Sequence, residues 1–467
     1  MSEATGTLDE VMKRIDDQFD QSVERLSDLL RLESVSTDPA HDQQTADCAE
    51  FCAEMLRSIG FEAEAVATTG HPMVVAEHPG ADPDAPCVLY YGHYDVQPAD
   101  PIELWDHAAF DPVVVESEHG RRIVARGAVD DKGQVMTFIE AFRAFKEAQG
   151  SLPCRVKVLL EGEEESGSPS LDPFLEANAD RLAADVCVVS DTGMWDIKTP
   201  AITTMLRGMV YVEVTVHGPS SDLHSGMYGG AVVNPINELT RLLAMIHDDS
   251  GRVQFPGFYD RVESITDEVK AQWKGLGFDD AAFLGAIGLT HGHGEAGYST
   301  LERTWCRPTC DSNGIIGGYT GEGAKTVIAA HASAKLSCRL VADQDPQEIL
   351  QSIQAFFQSN LHPDCRIEFE SHGCNPAIAV PTDSSWLVAA REALTGVFDR
   401  EALLIGTGGS IPAVGSIREL LGIDSLLVGF GLDDDNVHAP NEKFELTCLH
   451  NGIRSHAAML AAFAGLR

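Results

Sequence analysis

Five short segments of this 467-residue chain set histidine or acidic side chains beside glycine or proline. They are Tyr91-Gly92-His93-Tyr94-Asp95-Val96, Gly127-Ala128-Val129-Asp130-Asp131-Lys132-Gly133, Glu161-Gly162-Glu163-Glu164-Glu165-Ser166-Gly167, Ser190-Asp191-Thr192-Gly193 and, far downstream, Val437-His438-Ala439-Pro440-Asn441-Glu442. Imidazole and carboxylate together are ligand types for zinc, and also for manganese or cobalt. Taken singly, each segment has a plainer reading. A His-x-Asp is commonly a structural pair, Asp-Asp beside glycine a turn, a glutamate run a solvated face and one loop histidine a surface residue. Their conjunction reads differently. The first four follow strand-like runs, and in an open α/β sheet sites form beyond the carboxyl ends of the strands. So much negative charge at one sheet edge repels itself unless a dication neutralises it, so the set points to a metal centre.

The elements that must position these residues are legible from periodicity. Val11, Ile15, Phe19, Val23, Leu26 and Leu30 recur every three or four residues and predict a first amphipathic helix. Phe51, Met55, Leu56 and Ile59 predict a second, stopped by Gly60. The run Pro86–Tyr91 is apolar throughout, as in a buried parallel strand. A helix is expected after Gly133, then strands over 156–160 and 186–189. Alternating strands and helices imply an α/β domain with a mostly parallel sheet.

The rhythm changes near Arg207. Val210, Val212, Val214 and Val216 alternate with polar residues, a strand with one wet face. Helices after Pro235 and Pro346 and strands around 334–340 and 367–369 complete a small α+β insert with an antiparallel sheet. The segment 251–319, rich in glycine and polar residues, is expected to be lid or loop. From about Ala377 the α/β rhythm returns. The expected division is a catalytic domain over 1–206 and 377–467, interrupted by a lid and dimerisation domain over 207–376.

Composition narrows the function. There are 33 basic and 72 acidic side chains, a net charge of −39. That argues against nucleic-acid or anionic-membrane partners, which need a basic footprint, and suits an enzyme of a salty or crowded cytosol. No apolar run is long enough to span a bilayer. The N-terminal segment has no signal-peptide core, so a cytoplasmic protein is expected. The eleven cysteines are scattered and odd in number, with no CxxC pair. Cys306 and Cys310 are read as reduced thiols in a loop rather than a pair or a metal site.

In its motifs the chain resembles the co-catalytic di-zinc peptidases that include aminoacylase, glutamate carboxypeptidase and carnosine dipeptidase. The matching segments are GHYDVQP (92–98), GAVDDKG (127–133), EGEEESGS (161–168), Ser190-Asp191, DLHSGMYGG (222–230), KLSCRLV (335–341), GTGGSIP (406–412) and HAPNE (438–442). DLHSGMYGG and GGSIP look most like the carnosinase and nonspecific-dipeptidase branch. Glu163 departs from the apolar or small residue common at its position.

The resemblance implies roles. Asp130 would bridge two metals, zinc foremost. His93 and Asp191 would complete one ligand set, and Glu165 and His438 the other. Glu164 would be the general base on a water shared by the metals, and Asp95 would orient His93. The peptide after Asp130 is expected to be cis. His224 would stabilise the oxyanion, acting across a homodimer formed through the insert. Arg339 would hold the substrate carboxylate, and Ser410 would meet the substrate terminus. The implied reaction is hydrolysis of dipeptides or short peptides with a free C-terminal carboxylate. N-acyl amino acid deacylation by the same site is the alternative. A metal-binding homologue without activity is opposed by Glu164, because such a protein needs no base beside its ligands.

Overall fold

The computed structural model describes residues 3–409 and 411–466. The chain forms two compact units. The first comprises Met1–Thr204, Val380–Ile405 and Pro412–Arg467, and the second Met205–Ala379 and Gly406–Ile411. The short segment Gly406–Ile411 thus groups with the second unit, not with the C-terminal part in which the sequence division places it. Local contacts explain this: the Arg207 amide donates to the Gly409 carbonyl at 3.1 Å, and a Cβ on Gly406 would lie 2.7 Å from Trp305 Cβ.

In the first unit, four strands run parallel in the order Arg155–Glu161, Cys87–His93, Val186–Val189, Ser425–Leu427. Met73–His78 and then Glu62–Val66 extend one side antiparallel, and Ala201–Leu206 meets Ser425–Leu427 antiparallel on the other. Every residue of Cys87–His93 is buried, as expected for a strand covered on both faces. The covering helices include Glu3–Leu30, Lys132–Gln149 and Leu446–Phe463, which pack on one another. Val11, Ile15, Val23, Leu26 and Leu30 of the first helix all face the core. Helix Lys132–Gln149 begins directly after Asp130-Asp131 and ends on Gly150, whose φ of 79° makes the left-handed cap.

A separate three-stranded antiparallel sheet in this unit, in the order Lys443–Glu445, Gly120–Val124, Val113–Ser117, has no counterpart in the sequence reading. Its strands are short, and their burial is uneven.

The second unit is built on a four-stranded antiparallel sheet, in the order Thr309–Gly317, His331–Leu340, Gly208–His217, Arg366–Asn375. Burial alternates along Gly208–His217, and helices Pro235–Ala244 and Pro346–Asn360 bury their apolar faces on the inner side. Asn234 and Asp345 cap these helices, each with proline following at the first turn. The 251–319 segment is not structureless. It holds helices Asp267–Gly275, Asp280–Ala286 and Thr300–Trp305 and the edge strand Thr309–Gly317. Each helix is short and started by a side-chain cap, from Thr266, Asp279 and Ser299. Their apolar stripes span too few turns to stand out in the sequence. All eleven cysteines are free, and Cys310 lies opposite Cys338 across the sheet.

Candidate metal centre

The first unit gathers the five segments at one end of its parallel strands. His93 is the last residue of Cys87–His93. Asp130 lies in the turn ahead of helix Lys132–Gln149. Glu164 and Glu165 occupy a single 3₁₀ turn, Glu164–Ser166, just beyond strand Arg155–Glu161. Asp191 follows Val186–Val189. His438 sits in the loop before Lys443–Glu445, at a left-handed φ of 59°.

Two ligand triads result. The donor atoms of His93, Asp130 and Asp191 lie within 4.8 Å of one another, and so do those of Asp130, Glu165 and His438. Asp130 belongs to both. Its Oδ1 is 3.1 Å from His93 Nε2, and its Oδ2 is 2.9 Å from His438 Nε2. His438 Nε2 is also 3.1 Å from Glu165 Oε1. Each triad offers one imidazole and two carboxylates, a donor set suited to a borderline or hard dication.

The electrostatics describe a site made for positive charge. Burial pushes the Asp191 and Asp131 carboxyls well above the usual carboxylate range, with Asp130 adding to the first and Asp191 to the second. Burial raises Glu164 to about 7, and although His93 opposes this, Glu165, Asp95 and Asp130 add to it. Asp130 is held low despite its burial, because His438 and His93 both bond to it. His438, between Asp130 and Glu165, is raised to about 10. Divalent cations in the two triads would offset this crowding of negative charge. The residues present therefore fit a pair of divalent ions.

A supporting layer fixes these side chains. His93 Nδ1 lies 3.0 Å from the Asp95 carbonyl and 3.4 Å from its Oδ1. The Asp95 carboxylate accepts from Ser36 Oγ at 2.6 Å and from the amides of Glu164 and Glu165 at 3.3 and 3.1 Å. Gln97 Nε2 donates to Glu165 Oε2 at 2.8 Å. Asp131 Oδ2 accepts the His93 amide at 3.1 Å, and the Asp130–Asp131 peptide is cis.

Sequence reasoning missed Glu442. It is fully buried, takes Arg126 Nη1 at 2.7 Å, and accepts the amides of Gly127, Val129 and Asp130 at 3.0, 2.9 and 3.1 Å. It thereby holds the turn that presents Asp130. Its place in the HAPNE segment was the available signal, but nothing in a one-dimensional reading tells a buried glutamate from a loop charge.

Two further expected site residues, His224 and Arg339, belong to the second unit. His224 lies in the second unit at the end of a two-residue strand, exposed, with its Nδ1 accepting the Gly226 amide at 3.0 Å. Arg339 lies in the second unit on strand His331–Leu340, half-buried and opposite Met209 and Thr309. It neighbours Arg207, whose guanidinium burial and the Arg339 charge bring down to about 10. Ser410 lies outside the described residues. A third His/Glu group in the second unit, Glu213, Glu370 and His372, has Lys335 Nζ 3.9 Å from Glu213 to balance its charge.

The sequence profile of Peptidase family M20/M25/M40 matches residues 89–462. The chain belongs to this family. It is 31% identical to the Cys-Gly metallodipeptidase DUG1 of Saccharomyces cerevisiae over 98% of both chains. It is 30% identical to the human Beta-Ala-His dipeptidase over 98% of this chain and 93% of that one. The solved structure of the yeast dipeptidase Dug1p superposes with a TM-score of 0.80 at 30% identity, covering 98% of each chain. Human carnosine dipeptidase 1 does so with a TM-score of 0.80 at 28% identity, covering 98% of this chain and 99% of that one. This M20 chain is thus a peptidase that uses divalent metal. Among the described residues no helix is long and apolar enough to cross a membrane.

Proposed function

We propose that this protein is a two-metal dipeptidase that hydrolyses the peptide bond of dipeptides carrying a free C-terminal carboxylate. The observation that supports this most is one carboxylate, Asp130, shared by two imidazole–carboxylate triads, with Glu164 beside them. Two relatives at 30–31% identity are named for dipeptides of dissimilar composition, Cys-Gly and β-Ala-His. That favours dipeptide hydrolysis over N-acyl amino acid deacylation.

In this reading His93 and Asp191 would hold one ion, Glu165 and His438 the other, and Asp130 would serve both. Zinc is the proposed metal, on the strength of the mixed imidazole and carboxylate donors. Bound there, the ions would supply Lewis acidity toward the scissile carbonyl and a lower pKa for the attacking water. Glu164 takes a proton from that water and returns it to the leaving amine. Asp95 keeps His93 in the tautomer and orientation that ligation requires. Arg339 pairs with the substrate carboxylate, a contact its planar fork can make through two hydrogen bonds. Ser410, in its glycine-rich segment, meets the substrate terminus.

His224 is proposed to stabilise the oxyanion in the partner subunit of a homodimer assembled through the second unit. The exposed apolar side chains of Met227, Tyr228 and Val232 near it, and of Ile315 and Ile316 on an edge strand, support a covered surface. The free cysteines support a reducing, cytoplasmic setting.

The deciding experiment is a panel of dipeptides and N-acetyl amino acids offered to the metal-free and the zinc-reconstituted protein. Dipeptide turnover that appears only with metal is expected. Turnover confined to the N-acetyl compounds would replace this reading with the deacylase.

A further inference from the structure

Glu163 stands directly before Glu164, yet it bonds to a different part of the chain. It is 3% exposed. Its Oε1 accepts the His71 amide at 2.9 Å and its Oε2 the Ser170 amide at 3.1 Å. One carboxylate therefore ties the turn between strands Glu62–Val66 and Met73–His78 to the segment beyond the Glu164–Ser166 turn. Two further contacts flank it. Thr69 Oγ1 is 3.2 Å from Ser170 Oγ, and Tyr94 Oη donates to the Pro72 carbonyl at 2.6 Å. The approach is close: a Cβ on Gly70 would fall 1.5 Å from Glu163 Oε1.

The hydrogen bonds continue from His71 and come back. His71 Nε2 donates to the Ser36 carbonyl at 3.2 Å. Ser36 Oγ donates to Asp95 Oδ2 at 2.6 Å, and the Asp95 carboxylate accepts the amides of Glu164 and Glu165. The circuit starts at Glu163 and closes on the next two residues. Such closure matters because Glu164–Ser166 is one isolated 3₁₀ turn. A single turn has no cooperative hydrogen-bond ladder to hold it, so its side chains are only as fixed as its outside ties.

We propose that Glu163 and the turn Thr68–Pro72 form a positioning clamp that sets the place of Glu164 and Glu165. This rests on the reading of Glu164 as base and Glu165 as ligand. Glu163 and His71 are positioning residues. They act through the backbone of the 163–170 segment and through Ser36 and Asp95.

The test uses four variants: Glu163→Ala, Glu163→Gln, Gly70→Ala and the double Glu163→Ala/Gly70→Ala. The first readout is amide hydrogen exchange in the metal-free protein, resolved at 68–72 and 163–170. The second is kcat and KM for a dipeptide with the zinc-loaded protein. Glu163→Ala is expected to speed exchange in both segments together. It should lower kcat by about 10–100-fold, the usual cost of losing an outer support, with KM changed by less than about twofold. Glu163→Gln keeps one acceptor oxygen and should recover part of the loss. Gly70→Ala, whose methyl displaces the carboxylate, should resemble Glu163→Ala, and the double variant should be no worse than the poorer single one.

Unchanged exchange, or faster exchange with wild-type kcat, would overturn the proposal, as would additive losses in the double variant. If Glu163→Ala does not fold, Glu163→Gln and Gly70→Ala decide the question through the same two readouts. If the wild-type zinc-loaded protein cleaves no dipeptide, the functional reading fails, and the exchange data still decide whether the clamp exists.

Discussion

At the residue scale, the two acidic neighbours in the Asp130-Asp131 pair have different work. Asp130 touches both imidazoles, whereas Asp131 Oδ2 accepts the His93 amide and holds backbone. Asp130→Asn removes the charge that two dications would share, so both ions should be lost on dialysis. Asp131→Asn should lose far less. Elemental analysis of the two purified proteins checks this, and equal losses would mean the shared ligand is misassigned. Glu164 is separable from ligation in the same way. Glu164→Gln should retain its metal and its melting temperature but lose about 10²–10⁴-fold in kcat, because an amide cannot take the water's proton. Near-normal turnover by a fully metallated Glu164→Gln protein would remove Glu164 from the mechanism.

At the element scale, helix Leu446–Phe463 places His456 in the core against Tyr90, Phe138 and Phe430. Burial lowers its pKa from 6.5 to about 3. The unfolded chain therefore binds a proton that the native state refuses. The contribution is intact above pH 6.5 and is lost as the pH falls toward 3, at about 1.4 kcal/mol per pH unit. Urea unfolding of His456→Phe at several pH values should show a shallower acid decline than wild type, and parallel curves would contradict the assignment.

The elements themselves were unevenly legible in the sequence. The alternation at Val210–Val216 and the stripe from Val11 to Leu30 each repeat over several periods and stand out. The helices of 267–305 span one to three turns, and their caps are ordinary polar residues. The strands around 113–124 are partly exposed, so composition does not mark them. The candidate ligands were legible because histidine and paired carboxylates beside glycine are chemically distinctive. Their supports were not. Glu442, Ser36 and Glu163 act through backbone amides and side chains far away in sequence, and only the fold brings those partners near.

At the scale of the whole molecule, the proposed ligands all lie in the first unit and His224 and Arg339 in the second. A homodimer in which His224 serves the opposite subunit makes a distinctive prediction. Glu164→Gln and His224→Ala chains, each inactive alone, should regain activity when mixed, because one site of the heterodimer keeps both residues. Subunit exchange is established first by pull-down with a tag on one variant. Exchanged but inactive mixtures would place His224 within its own chain or outside the chemistry. The −39 net charge bears on this assembly, because two such subunits repel at low ionic strength. The mixing belongs at a salt concentration where the Debye length is about 8 Å or less.

The central claim is that Asp130 joins two triads into one working centre. It is tested most directly by titrating zinc into the metal-free protein while following hydrolysis of a dipeptide. Activity is predicted to be absent without metal and to level off at two zinc ions per chain. Full activity in the absence of metal, or a plateau at a single ion with the second triad still empty, would contradict the account.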